Sequence, residues 1–351
     1  MLKDITFFTK YTTRGASSRY RHYHFFSRLL KYNYNLEIKS FLDIGYLDRL
    51  YSEKRMSKLK IVLAYLNRLI DLKLSSENLI VEYELFPYVP YWVEKRFLRD
   101  KRYILNYDDN LWYNCQKNPL LRNKYDNLVK EADGIIVAND FLYQKIRKLN
   151  QNVIKIPTVI DVENIGLRAE KYSTFTIAWI GTPSTYKFIL SHRDIFRKLS
   201  EKIQYDLLII ASTRLEKKGF DGVSVIYKDW SPETEYELLT KSHIGIMPLD
   251  MDEFCRGKSG FKIIQYIACG LPVVATDIGE NRRIIENGKN GFLVSSADEW
   301  IESIIRLRDD NNLYNEIACH NREVSCEYSI QKYFDIYRGF VDKCFDHVKP
   351  L

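Results

Sequence analysis

Short apolar runs alternate with longer amphipathic runs along the whole chain, and this alternation narrows the fold more than any other feature. The strand-like runs of a first set are Ile5–Thr9, Leu36–Ser40, Leu79–Tyr83, Tyr103–Tyr107, Gly134–Ala138 and Asn152–Ile156. A second set runs through Phe175–Ile180, Leu207–Ala211, Val223–Tyr227, Gly245–Pro248, Pro272–Thr276 and Gly291–Val294. Such runs fit parallel strands covered on both faces, and the helical runs between them supply the crossovers that parallel pairing requires. The expectation is an α/β chain of two doubly wound, Rossmann-like domains, with ligands at the carboxyl ends of the strands. Its 351 residues suffice for two cores. The polar, irregular span Ile160–Thr174 places the divide near residue 168, giving domains 1–167 and 168–327. A helical, aromatic segment, 328–351, closes the chain.

Composition excludes some classes of function. The six cysteines stand at scattered positions without metal-ligand spacing, which argues against zinc and for a reducing cytoplasm. The opening MLKDITFFTK is too polar and short for a secretory signal, and no run of about 18 apolar residues exists to span a bilayer. Charge is uneven: residues 1–80 carry 15 Lys/Arg against 7 Asp/Glu, enough to account for the whole net charge of +7. A basic half suits a phosphorylated ligand, an anionic membrane face or a merely solvated surface. Nucleic acid is disfavoured, because no recognisable binding module frames the basic residues. The span Lys54–Leu74 sets Leu59, Val62, Leu63, Leu66, Leu69 and Ile70 at helical spacing among lysines and arginines. A helix packed on a sheet is the reading preferred here over a membrane-surface helix.

The chemistry concentrates between Arg256 and Val294. Arg256, Lys258 and Lys262 surround Gly257 and Gly260 just before an apolar helical run. A glycine-rich loop feeding a helix start offers free backbone N–H groups and the positive end of the helix dipole. With added guanidinium and ammonium groups, such a loop suits a di-anion, above all a diphosphate. Ala268-Cys269-Gly270 and the run Leu271-Pro272-Val273-Val274 follow.

This segment resembles the donor-binding half of GT-B glycosyltransferases of the retaining, family-four type, the group 1 glycosyl transferases. The resemblance extends over nearly the whole chain and implies two Rossmann-like domains facing across a cleft, with the last helix returning to the first domain. It implies a nucleotide-diphosphate sugar as donor and co-substrate, with no metal and no other cofactor. Arg256, Lys258 and Lys262 would then neutralise the leaving diphosphate. Gly181 and Thr182, in Trp179-Ile180-Gly181-Thr182-Pro183-Ser184-Thr185, match a subset that lacks the family's usual arginine, with Lys187 as a stand-in. Gly15, Arg19 and Arg21, in Gly15-Ala16-Ser17-Ser18-Arg19-Tyr20-Arg21, resemble a loop of polysaccharide-building members, which lies under the donor phosphates and beside the acceptor.

Other positions are carried over with departures. Asp108 and Asp109 end a strand where many members hold a His or Asp near the reacting sugar. Adjacent side chains leave a strand end in opposite directions, so one of them is expected to act on the acceptor, the alternative being a helix cap. The family's E-x7-E pair falls on Gly257 and Gln265, so Gln265 would meet the ribose through its amide. The missing first Glu leaves Asp250, Asp252 or Glu253 as replacements. The family's Gly-Gly is Gly279-Glu280 here, followed by Asn281, beside the donor sugar. Trp230 falls near the nucleobase, and the aromatic loop Tyr83–Trp92 could shape an acceptor site or simply pack.

The expected activity is transfer of a sugar to a hydroxyl of a carbohydrate or lipid-linked acceptor, in bacterial surface polysaccharide synthesis such as capsule or lipopolysaccharide. The expected place is the cytoplasm, peripheral at the inner face of the plasma membrane. Two rivals remain: a GT-B nucleotide-sugar epimerase, and a non-catalytic protein that binds sugar nucleotides or nucleic acid.

Overall fold

The computed structural model describes residues 3–51, 57–165, 169–211 and 219–346. Every expected strand is present. The first sheet comprises β1 (Lys3–Thr9), β2 (Tyr34–Ser40), β3 (Asn78–Glu82), β4 (Arg102–Tyr107), β5 (Gly134–Val137) and β6 (Val153–Lys155). The second comprises β7 (Thr176–Gly181), β8 (Asp206–Ala211), β9 (Ser224–Asp229), β10 (Ile244–Met247), β11 (Val273–Thr276) and β12 (Gly291–Val294). The helices that matter below are α1 (Lys58–Leu74), α2 (Pro183–Ser191), α3 (Glu235–Lys241), α4 (Glu253–Arg256), α5 (Phe261–Ala268) and α6 (Ile330–Asp346).

The described strand pairs are parallel, in the orders β2-β1-β3-β4-β5-β6 and β12-β11-β10-β7-β8-β9. These are doubly wound sheets, the GT-B class of fold. Period-two alternation divides the first sheet's side chains between two cores. Phe8, Leu79, Val81, Leu105 and Val137 enter one. Ile5, Phe7, Ile80, Ile104 and Ile136 enter the other, which α6 covers with Phe334, Tyr337, Phe340 and Phe345. The second sheet buries Ile177, Trp179, Leu207, Ile209 and Ile246 under Phe196, Trp300 and Ile304.

The chain forms two compact units, one of residues 1–159, 257–259 and 330–351, the other of residues 160–256 and 260–329. The divide expected near residue 168 falls outside the described residues.

The helix at α1 exists but turns the other way from the preferred reading. Tyr65, Arg68 and Leu72 face the protein, while Leu59, Val62, Leu63, Leu66 and Ile70 face solvent. Residues 54–56 of the expected helix lie outside the described ones.

Candidate functional site

In the second sheet β7 and β10 are neighbours, and from them the strand order runs outward in opposite directions. Loops leaving such a pair diverge and open a crevice at the strands' carboxyl ends. Gly181 and Thr182 end β7 and start α2. A Cβ on Gly181 would stand 2.4 Å from the Trp179 ring and 2.8 Å from Thr185 Oγ1, so the position admits only glycine without rearrangement. The Thr182 N–H donates to Thr185 Oγ1 at 3.0 Å, and its hydroxyl lies 2.9 Å from that of Ser184. Lys187 Nζ lies 5.8 Å from the ring centre of Phe254 on α4, bringing a cation of α2 beside the β10 loop.

The loop after β10 carries α4 and then α5. Gly260, at the N-cap of α5, has φ +68°, a left-handed conformation natural to glycine. Two residues on, Lys262 places Nζ 5.9 Å from the Trp179 ring centre. Arg256 ends α4 and is exposed. Two of the three acids expected to replace the missing Glu have local partners: Asp250 accepts from Ser191 Oγ at 3.0 Å, and Asp252 accepts from the Cys255 N–H at 2.7 Å. Gly279 has φ +53°, and a Cβ there would meet the Arg256 carbonyl oxygen at 2.6 Å. Its glycine lets the backbone pass close beside the cation-bearing loop. Glu280 N-caps the short helix Asn281–Ile284. Asn281 is buried and donates from Nδ2 to the Thr276 carbonyl at 2.9 Å, so its amide is engaged with the backbone.

A third group unites two residues singled out separately in the sequence. Trp230 Nε1 donates to Glu235 Oε2 at 2.8 Å, and Gln265 Nε2 approaches the same oxygen at 3.4 Å. Glu235, at the first turn of α3, is buried. Sequence reading missed it because an acid in a helix's first turn is common enough to need no functional cause. Here it puts a carboxylate beside Gln265.

In the first unit, the loop after β1 leads into a helix broken by a π turn, with segments Ala16–Ser18, Arg19–Tyr23 and His24–Leu29. Gly15 is extended, and a Cβ on it would meet the Tyr11 Cβ at 2.6 Å. Arg19 and Arg21 are both buried. Arg19 sets its guanidinium 4.5 Å from the Tyr20 ring centre. Arg21 donates to Asn106 Oδ1 at 2.6 Å and to the Ile156 carbonyl at 2.9 Å. Arg21 thereby braces the carboxyl edge of the sheet.

The aspartate pair divides. Asp108 is buried and accepts from the Tyr83 hydroxyl. Burial and then neighbouring Asp109 push its carboxyl above the ordinary range, opposed by Arg21 and by hydrogen bonds from Ser17 and Tyr83. Asp109 keeps 35% of its side chain exposed and lies 3.7 Å from Lys258 Nζ. Asn139 Nδ2 donates to the Gly257 carbonyl at 2.8 Å, and a Cβ on Gly257 would stand 2.4 Å from the Asn110 Cβ. Residue 257 thus has no room for a side chain, a physical reason for a glycine where the resembling family has its first Glu. Tyr83 holds φ +64°, a strained value for a non-glycine residue at a strand end.

Glu82 is the second residue that sequence reading passed over. It ends the fully buried strand Asn78–Glu82, its Oε2 accepting from Ser18 Oγ at 2.7 Å and the Lys10 N–H at 2.8 Å. Burial raises its pKa to about 7, against those two hydrogen bonds. An acid closing the apolar run Leu79-Ile80-Val81 was the available signal. Among the described residues no group of three His, Cys, Asp or Glu is placed to hold a metal ion.

Residues 174–310 match the family model of glycosyl transferases group 1. Over 84 residues the chain is 31% identical to a probable sucrose-phosphate synthase of Thermosipho melanesiensis, a match covering 24% of this chain and 19% of that protein. The chain thus spans about a fifth of that curated relative. Among solved structures, the sucrose-phosphate synthase of Thermosynechococcus elongatus superposes with a TM-score of 0.70 at 12% identity, covering 98% of this chain and 99% of that one. Anabaena HepE in complex with UDP-glucose superposes with a TM-score of 0.63 at 13% identity, covering 97% and 100%. At such identities these structures bear on fold. Apart from residues 257–259, the matched span lies within the second unit.

Proposed function

We propose that the chain moves a sugar from a nucleotide-diphosphate donor, in the first instance a UDP-sugar, to a hydroxyl of a carbohydrate or lipid-linked acceptor. One observation carries this reading: at the β7/β10 divergence, glycine-shaped loops and the start of α5 gather beside Arg256, Lys262 and Lys187. Negative charge develops on the departing diphosphate as the glycosidic bond breaks. A helix N-terminus with nearby cations stabilises that charge more than it stabilises the ground state. Gln265, held by Glu235, would meet the ribose, and Trp230 would lie against the base. The UDP-glucose bound by HepE supports uridine as the first base to try. No metal or other cofactor enters this reading.

In the first unit Asp109 is the residue assigned to the acceptor, positioning its hydroxyl or receiving its proton. Asp108, buried under Tyr83 and braced beside Arg21, is assigned a supporting role. The transfer retains anomeric configuration in this reading. The setting is assembly of a bacterial surface polysaccharide, capsule or lipopolysaccharide, in the cytoplasm at the inner face of the plasma membrane. The positive surplus of residues 1–80 supports an acceptor anchored to anionic lipid.

The test is thermal stabilisation by a panel of UDP-, GDP-, ADP- and CMP-sugars, followed by acceptor-dependent product formation with whichever binds. Asp109→Asn should abolish transfer and spare donor binding, as read by calorimetry. Full transfer by both Asp109→Asn and Asp108→Asn would refute the acceptor assignment. Absence of stabilisation by every nucleotide sugar would refute the donor site.

A further inference from the structure

We propose that the exposed face of α1 is a bilayer-binding surface, seated in the interface of an anionic membrane with its apolar stripe among the acyl chains. The inference rests on the membrane part of the reading above and names the element that would carry it.

Leu59, Val62, Leu63, Leu66 and Ile70 recur at the spacing of a single helix face. On that face Leu59 is 68% exposed, Val62 53%, Leu66 49% and Ile70 57%, and Leu74 extends the stripe at 73%. Of the large apolar side chains exposed among the described residues, eight lie on this helix. A patch of that extent in water ordinarily marks an interaction site. The opposite side attaches to the protein through an unusual anchor. Arg68 is buried, donates to the Thr9 carbonyl at 2.8 Å and the Lys39 carbonyl at 3.2 Å, and sets its guanidinium 4.6 Å from the Phe8 ring centre. The core-facing side thus takes the cation, and the apolar side points outward.

Charge identifies the occupant. Lys58, Lys60 and Lys73 are exposed on α1, and Lys54-Arg55 precede it in sequence. The sole acid between residues 57 and 76 is Asp71, half-buried and away from the stripe. A second copy packed face to face would set lysines against lysines without a carboxylate to answer them. Anionic headgroups supply that counter-charge, while acyl chains receive the leucines and isoleucine. At 17 residues the helix is about 25 Å long, and its lysines suit lying in the interface rather than crossing. No described helix is long and apolar enough to cross a membrane. The Tyr65 hydroxyl donates to the Pro87 carbonyl, tying α1 to a segment that exposes Tyr88 and Trp92, residue types favoured at headgroup depth.

The experiment is flotation of the full chain with phosphatidylcholine vesicles, with and without phosphatidylglycerol, at low and high salt. The native chain should float with the anionic vesicles and keep part of that binding at high salt, since screening acts on the lysines and leaves apolar insertion. The triple variant Leu63→Glu/Leu66→Glu/Ile70→Glu should lose about tenfold or more of the binding at both salts. Its melting temperature and nucleotide-sugar affinity should be unchanged, because these side chains face solvent. Equal flotation of variant and native chain would overturn the proposal. So would a self-association, seen by sedimentation, that the triple variant abolishes while neither protein binds vesicles. Loss of nucleotide-sugar binding by both proteins, with flotation as expected, would sink the transferase reading and uphold this one.

Discussion

The two units share a doubly wound plan but distribute charge in opposite ways. Among the described residues the first unit buries Arg19, Arg21, His22, Arg68, Glu82, Glu94, Asp108 and Lys124, whereas the second buries Glu235 alone of its charged or histidine side chains. Apolar exposure divides in the same sense: of the large apolar side chains exposed among the described residues, only Met251 belongs to the second unit. The first unit encloses its charges in a low-dielectric interior, where Lys124 lies 3.2 Å from Glu94 while Arg68 and Glu82 rely on backbone and hydroxyl groups. The second keeps its interior nearly neutral and puts cations at loop ends. A preorganised scaffold for leaving-group charge suits the second arrangement, since cations carried on glycine-shaped loops can face an anion without a charge having to leave the interior. Buried titratable groups confer sensitivity to pH instead.

The largest effect should come from filling the closest glycine contact. Gly257→Glu restores the family's acid but drives a side chain into Asn110, and should cost about 4 kcal/mol of stability by overpacking and by burying a charge. Denaturant midpoints would measure it. An unaltered midpoint would mean that the loop shifts freely, and the explanation for the missing acid would fall.

Arg256→Ala and Lys258→Ala probe the cations at the junction of α4 and α5. Each should lower turnover about 10²-fold, near 2.7 kcal/mol of transition-state stabilisation, with the melting temperature preserved. Near-normal turnover in both, with unchanged donor affinity, would remove the diphosphate assignment from this loop.

The buried charges of the first unit should show themselves through pH. With its pKa raised from the ordinary 4.5 to about 7, Glu82 keeps a proton in the native state that the unfolded chain has already released. Stability therefore falls as pH rises through that window. Glu82→Gln removes this dependence, so between pH 5 and pH 8 the native chain should lose about 2.5 kcal/mol relative to the variant. Glu94, also raised to about 7 by burial, slopes the same way and remains in both proteins. His22, lowered by burial to about 3, slopes oppositely between about 3 and 6.5 in both. Parallel pH profiles for native chain and variant would mean that Glu82 titrates as it does in water.

The strands were legible because parallel strands buried on both faces are written as continuous apolar runs, and all the expected ones are present. The orientation of α1 was not. Periodicity identifies an apolar stripe without saying which way it faces, and here Arg68 satisfies backbone carbonyls on the side that a leucine would normally occupy. In the candidate site, Gly279 and Gly260 could be singled out as glycines, but their left-handed angles appear only in the fold. Asp108 and Asp109 were indistinguishable in sequence, because Tyr83 and Arg21, which bury one of them, come from other loops.

The smallest predicted effect tests whether the second unit's single buried charge belongs to binding. Glu235 accepts from Trp230 and faces Gln265, fixing the direction of both side chains. If it orients that amide towards a ribose, Glu235→Gln should weaken donor binding about tenfold, near 1.4 kcal/mol, and leave turnover at saturating donor nearly unchanged. A scaffolding role would give another pattern: lower melting temperature with unaltered affinity. Trp230→Phe separates the partners, since it removes the indole donor and keeps an aromatic face. Affinity for a nucleoside diphosphate without its sugar should fall in Glu235→Gln by the same factor as for the whole donor, because the ribose is common to both. A loss confined to the sugar-bearing ligand would move Glu235 from the ribose to the transferred sugar.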